Sequence, residues 1–148
     1  QLTLAEILNL PVVIHTRNKN EQDRQCIKDT LAILSEFRNR IFGVLHSFSG
    51  NLSELEQTLD LGYHIGITGP VTFSKAHDLR RLINSLPLER LLIETDSPFL
   101  TPHPHRGKRN QPSYVALIAE KIAQVLDRTT SEIAKITTAN ANHLFQWS

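Results

Sequence analysis

The sequence predicts an α/β fold, a parallel (β/α) repeat with its helices outside the sheet. Short β-branched runs alternate four times with helical stretches along the 148 residues, joined by short connections. That alternation builds a parallel sheet covered by helices. Three strands also end in residues that bind metals: Val12-Val13-Ile14 then His15, Gly43-Val44-Leu45 then His46, and Leu91-Leu92-Ile93-Glu94-Thr95 then Asp96. In βα repeats the C-terminal strand ends share one face, and that face carries the chemistry. Thr16-Arg17-Asn18-Lys19, after the first strand, has no glycine, which argues against a dinucleotide-type phosphate loop. Four units do not close a barrel, which typically takes about 250 residues. A small doubly wound sheet is the alternative, but ligands at several strand ends favour a barrel site.

The elements follow in order. Leu2 to Leu10 reads as a helix end closed before Pro11. Strand Val12–His15 follows. Asn20 to Arg38 is expected as a helix, with Ile27, Leu31, Leu34 and Phe37 at helical spacing. Strand Gly43–Phe48 ends in Ser49-Gly50. Asn51 or Ser53 caps a helix carrying Leu52, Leu55 and Leu59, which stops at Gly62. Tyr63–Thr68 is a third strand. Lys75 to Ser85 is a helix with Ala76, Leu79, Leu82 and Ile83 inward, and Leu91–Glu94 is a fourth strand. A polar loop, Asp96 to Gln111, leads into a helix from Pro112 to Leu126. Thr130 or Ser131 caps a last helix ending near Trp147. No linker or composition break divides residues 1–148, so one domain is expected.

Composition narrows the classes. A hydrophobic content of 40% with 21% charged residues fits a globular chain with a real core. The net charge of +1 gives no global attraction for nucleic acid or membrane, so any polyanion site must be local. Cys26 is the single cysteine, which rules out an internal disulfide and points to a reducing, cytoplasmic setting. Cys26 itself reads as a core or helix-face residue. No apolar run reaches membrane-spanning length. The chain opens Gln-Leu-Thr-Leu-Ala and contains no Met, which hints that an N-terminal part precedes it.

Several strings carry a resemblance. They are Pro-Val-Val-Ile-His-Thr-Arg (11–17), Gly-Val-Leu-His-Ser-Phe-Ser-Gly (43–50), Gly-Ile-Thr-Gly (66–69) and Leu-Ile-Glu-Thr-Asp-Ser-Pro-Phe-Leu (92–100). Arg-Gly-Lys-Arg-Asn-Gln-Pro (106–112) and Asn-Ala-Asn-His-Leu-Phe (140–145) extend it to the tail. Together they resemble the TatD family of metal-dependent deoxyribonucleases, end to end and in order. The resemblance implies a distorted (β/α)₈ barrel that hydrolyses DNA phosphodiesters with divalent metal. The family's first-strand His-x-His pair and fourth-strand Glu have no counterpart, since His103-Pro-His105 lies in a loop after the last strand. The four strands therefore match the fifth to eighth of the barrel, its C-terminal half. The resemblance implies that His15 and His46 hold one metal and Asp96 the other.

The chemistry is consistent with the residue types. Phosphodiester hydrolysis needs hydroxide at neutral pH and neutralisation of the phosphoryl oxygens, and a divalent ion supplies both. Imidazole suits zinc, whereas carboxylate admits magnesium or manganese, so two divalent ions of open identity are expected. Asp96 is also the candidate catalytic proton acceptor. His15 and His46 as ordinary strand-end histidines is the competing reading. Alternation places Glu94 on the same side as Asp96, as an outer support or ion-pair partner. The loop His103 to Arg109 is a local basic patch suited to a DNA backbone, with Arg106 and Lys108 as phosphate contacts and Asn110 as loop organiser. Arg17, two residues past His15, is a further substrate contact. Gly107 would let backbone N–H groups approach an anion. Aromatic content is 6%, which gives little support to a base-stacking platform; Phe73 and Phe99 follow strand ends and could form one, but core positions are expected for both. His64 and His77 are expected to be structural or surface residues. Two other functions compete with a DNase: a metal-dependent amidohydrolase or esterase on a small molecule, and a catalytically incomplete half-barrel that acts by binding. A half-barrel would leave its edge strands open and expose inner-face residues such as Val13, Leu45 or Ile93.

Overall fold

In the computed structural model, which describes residues 1–17 and 23–147, four parallel strands form one sheet in the order β1-β2-β3-β4. They are β1 (Val12–His15), β2 (Gly43–His46), β3 (His64–Ile67) and β4 (Leu91–Ile93). Sequential, neighbouring strands with helical connections are the βα repeat that the alternating sequence implies. The edges are β1 and β4, so the sheet is a partial barrel rather than a closed one.

Among the described residues six α-helices flank the sheet: α1 (Leu2–Leu8), α2 (Gln25–Glu36), α3 (Leu52–Asp60), α4 (His77–Asn84), α5 (Val115–Val125) and α6 (Thr130–Phe145). Asn9 ends α1 in the left-handed region (φ 50) just before Pro11. The expected onset of α2 at Asn20 lies outside the described residues. Within them the helix begins at Gln25, because Arg24 is not helical. Asn51 and not Ser53 caps α3. Its Oδ1 accepts from the Glu54 N–H at 3.0 Å, and Glu54 Oε2 accepts from the Asn51 N–H at 2.7 Å. Gly62 then turns the chain at φ +86. A 3₁₀ turn, Gly69–Thr72, delays α4 to His77, two residues later than the periodicity predicts. Thr129 caps α6, one residue before the expected Thr130, through a reciprocal pair with Glu132.

Strand register fixes two faces. Val13 pairs with Val44, Val44 with His64 and Gly66 with Leu92, so these residues lie on the inner face with His15 and His46. Ile14, Leu45, Ile65, Ile67, Leu91 and Ile93 face the helices. There they meet Leu31 and Leu34 of α2, Leu55 of α3, Ile83 of α4, Ile118 and Ile122 of α5 and Ile133 of α6. Each fully buried side chain of this kind contributes about 1.5–3 kcal/mol. The expectation that Leu45 and Ile93 line the exposed inner face is therefore corrected. Each is one residue out of step with an inner-face ligand, His46 or Glu94, and a one-residue offset reverses the face. Val13 is on the inner face and 59% exposed. Val44 and Leu92 are not open, because Leu144, Phe145 and Ala141 of α6 pack over them with Phe42.

Candidate metal centre

His15 and His46 are the last residues of β1 and β2 and sit in register. Their imidazoles leave the sheet side by side, with ring centroids 5.6 Å apart. Glu94 follows β4, where its N–H still bonds to the Ile67 carbonyl at 3.1 Å. Its side chain crosses β3 to reach β2. Residue 66 must be glycine for this, because a Cβ there would stand 2.0 Å from Glu94 Oε1. Glu94 Oε2 lies 2.6 Å from His46 Nδ1, and Oε1 accepts from the Ser47 N–H at 2.7 Å. Ser47 bends the chain at φ 49, and its hydroxyl meets that of Thr68 at 2.7 Å. Asp96 also takes a left-handed backbone (φ 58), which Asp tolerates better than most residues. Its Oδ1 lies 3.0 Å from His46 Nε2.

His46 is thus held between two carboxylates. The hydrogen bond to Glu94 is the main reason that its pKa rises to about 9, against a burial effect that lowers it, and Asp96 adds to the rise. An ion bound at Nε2 would have to displace that proton. The donor arrangement fits an ion. A ligating His commonly gives its second ring N–H to a carboxylate, as His46 Nδ1 does to Glu94, leaving Nε2 toward the site. His46 Nε2 and Asp96 Oδ1, 3.0 Å apart, bring together an imidazole nitrogen and a carboxylate oxygen, donor types that divalent ions take. Among the described residues no three or more His, Cys, Asp or Glu side chains close into a metal cage.

The centre opens into a cavity of about 880 Å³ whose lining includes His15, Arg17, Arg24, Asp96, Phe99 and Leu100. Arg24 was not anticipated. Glu54 of α3 pins its guanidinium, which also donates to the Ser49 carbonyl at 3.4 Å. A pairing across 30 residues leaves no local sequence signal. Phe99, expected in the core, is 69% exposed and lines the cavity. The loop after β4 turns it outward: Asn110 Nδ2 donates to the carbonyls of Thr95 and Phe99, and the Asn110 N–H bonds to the Pro98 carbonyl at 3.1 Å. Asn110 is itself buried.

Arg106 and Lys108 are exposed on the adjoining loop, outside the cavity lining. The Arg106 guanidinium stacks 3.8 Å from the Phe73 ring centroid, and His103 meets the same ring edge-on. Phe73 is half-buried beneath them. Gly107 turns this loop at φ +82. His64 lies deeper on the inner face, buried, with Nδ1 unpartnered; burial lowers its pKa. His77 is exposed on α4. No helix among the described residues is long and apolar enough to cross a membrane.

Comparison with known proteins agrees with this fold. The family model described as TatD related DNase matches residues 1–146. An uncharacterized metal-dependent hydrolase, YabD, from Bacillus subtilis is 43% identical over 147 residues, covering 99% of this chain and 55% of that protein. The 3'-5' ssDNA/RNA exonuclease TatD of Klebsiella pneumoniae is 38% identical over 98% of this chain and 55% of its own length. The crystal structure of YJJV, a TatD homolog from Escherichia coli, superposes with a TM-score of 0.87 at 31% identity, covering 99% of this chain and 54% of that one. The chain thus spans about half the length of the relatives it matches. It belongs to the TatD-related DNase family, whose relatives are metal-dependent hydrolases.

Proposed function

We propose that this chain forms strands five to eight of a divalent-metal phosphodiesterase barrel acting on DNA. The observation that carries the reading is His46, held through Nδ1 by Glu94 with Nε2 directed at Asp96. A histidine oriented this way serves metal ligation better than sheet packing. His15 and His46 would hold one divalent ion and Asp96 an adjacent one. Ligands from the preceding strands complete both. When bound, divalent ions supply hydroxide near neutral pH and neutralise the phosphoryl oxygens. Asp96 then accepts the proton of the attacking water. Glu94 keeps the His46 tautomer that leaves Nε2 free. Arg17 contacts phosphate from within the cavity, while Arg106 and Lys108 track the backbone outside it. The nuclease named among the relatives supports a nucleic-acid substrate. One cysteine and no membrane-crossing helix among the described residues suit a cytoplasmic enzyme.

The test is hydrolysis of single-stranded DNA by the full-length protein with Mg²⁺, Mn²⁺ or Zn²⁺, beside a panel of amides, esters and lactones. Asp96→Asn should abolish cleavage while the protein still folds, since an amide is not an anionic ligand. Cleavage that survives chelation, or a preference for the small-molecule panel, would refute the proposal.

A further inference from the structure

The Phe99 ring stands apart from the other aromatic groups near the centre. Phe48 is buried in the core, and Phe73 is covered by Arg106 and His103. Phe99 instead is 69% exposed and lines the cavity that also holds His15, Arg17 and Asp96. A large exposed apolar ring is costly in water unless something covers it. Its backbone is tightly held. The Phe99 N–H bonds to the Asp96 carbonyl at 2.8 Å, and buried Asn110 holds the Phe99 carbonyl. The next residue presses its carbonyl against Gly69, where a Cβ would stand 1.9 Å away. The loop is therefore a rigid mount that carries the ring three residues beyond Asp96.

We propose that Phe99 is a stacking platform for a nucleobase flanking the scissile phosphate. This rests on the phosphodiesterase reading above and names the part of the substrate that the metal ligands do not recognise. The same cavity is lined by the exposed cation Arg17, by Arg24 in its ion pair with Glu54, and by the Asp96 carboxylate. A nucleotide offers a flat π-face and an anion within one residue's length, matching that set. An acyl or peptide substrate would bring the apolar group without the anion. Stacking is indifferent to base identity, because every base has a π-face. The platform therefore confers a preference for unpaired strands without sequence selectivity.

The experiment measures binding by the full-length protein, without added metal so that no turnover intervenes. The probes are a ten-residue oligothymidylate and an abasic deoxyribose-phosphate oligomer of equal length, both dye-labelled for anisotropy. Phe99→Ala should weaken oligothymidylate binding about 5- to 150-fold and leave the abasic oligomer unchanged. Phe99→Trp should retain affinity and add an emission that is read as the difference from the unmodified protein. That emission should be quenched by oligothymidylate and not by the abasic probe. Equal weakening of both probes by Phe99→Ala would make the ring a loop-packing residue and overturn the proposal. No effect on either probe would also overturn it. Failure of the unmodified protein to bind either probe would instead remove the nucleic-acid reading beneath it.

Discussion

Replacing Glu94 by Gln tests the support of His46 on stability as well as function. The Glu94 carboxylate accepts from both the Ser47 N–H and His46 Nδ1. A glutamine has one acceptor oxygen. If that oxygen keeps Ser47, its NH₂ faces Nδ1 and forces the proton onto Nε2, the tautomer that cannot bind metal. If it keeps His46, the NH₂ confronts the Ser47 N–H. A buried donor left unsatisfied costs about 1–3 kcal/mol. The charge effect adds to this. The folded pKa of His46 is raised to about 9 from an ordinary 6.5. Its stabilisation is therefore fully present below pH 6.5 and is lost as pH rises through about 9. At about 1.4 kcal/mol per unit the whole elevation is worth about 3 kcal/mol, shared with Asp96. Glu94→Gln should destabilise the metal-free protein by about 3 kcal/mol at pH 6 and by about 1 kcal/mol at pH 9.5. Urea unfolding in EDTA measures both values, and an NMR titration follows the His46 ring. Equal losses at the two pH values, or a His46 that still titrates near 9 in the variant, would refute the reasoning.

Other substitutions probe the surrounding structure. Gly66→Ala should leave the fold intact but push the flexible end of Glu94 off His46, lowering metal affinity about 10- to 100-fold in a chelator competition. Leu144→Ala should cost about 2–4 kcal/mol in chemical denaturation, because it uncovers Val44 and Leu92 on the inner face. Thr129→Ala should cost about 1 kcal/mol by removing the α6 cap, whereas Thr130→Ala should stay within about 0.5 kcal/mol.

The strand order and the convergence of His15, His46 and Asp96 at the strand ends were legible because parallel strands advertise themselves as short apolar runs. The position of Glu94 followed from period-two alternation alone. Which residues face inward was less legible. β2 is buried on both faces, so Val44 and Leu45 carry no hydropathy contrast, and only register with β1 separates them. The reach of Glu94 across Gly66 depends on a contact between strands that no single segment encodes. Phe99 was misjudged because an aromatic residue after a strand usually packs inward, and here a loop held by Asn110 turns it out. Arg24 was invisible for a related reason: its partner Glu54 lies a full βα unit away.

The most direct test of the account is an anomalous-scattering map from crystals of the full-length protein soaked in Mn²⁺. The account predicts a peak within about 2.3 Å of His46 Nε2 and a His15 ring nitrogen, and a second beside Asp96, with Glu94 still on His46 Nδ1. Crystals that show no manganese at these side chains, with His46 Nε2 still hydrogen-bonded to Asp96, would contradict it.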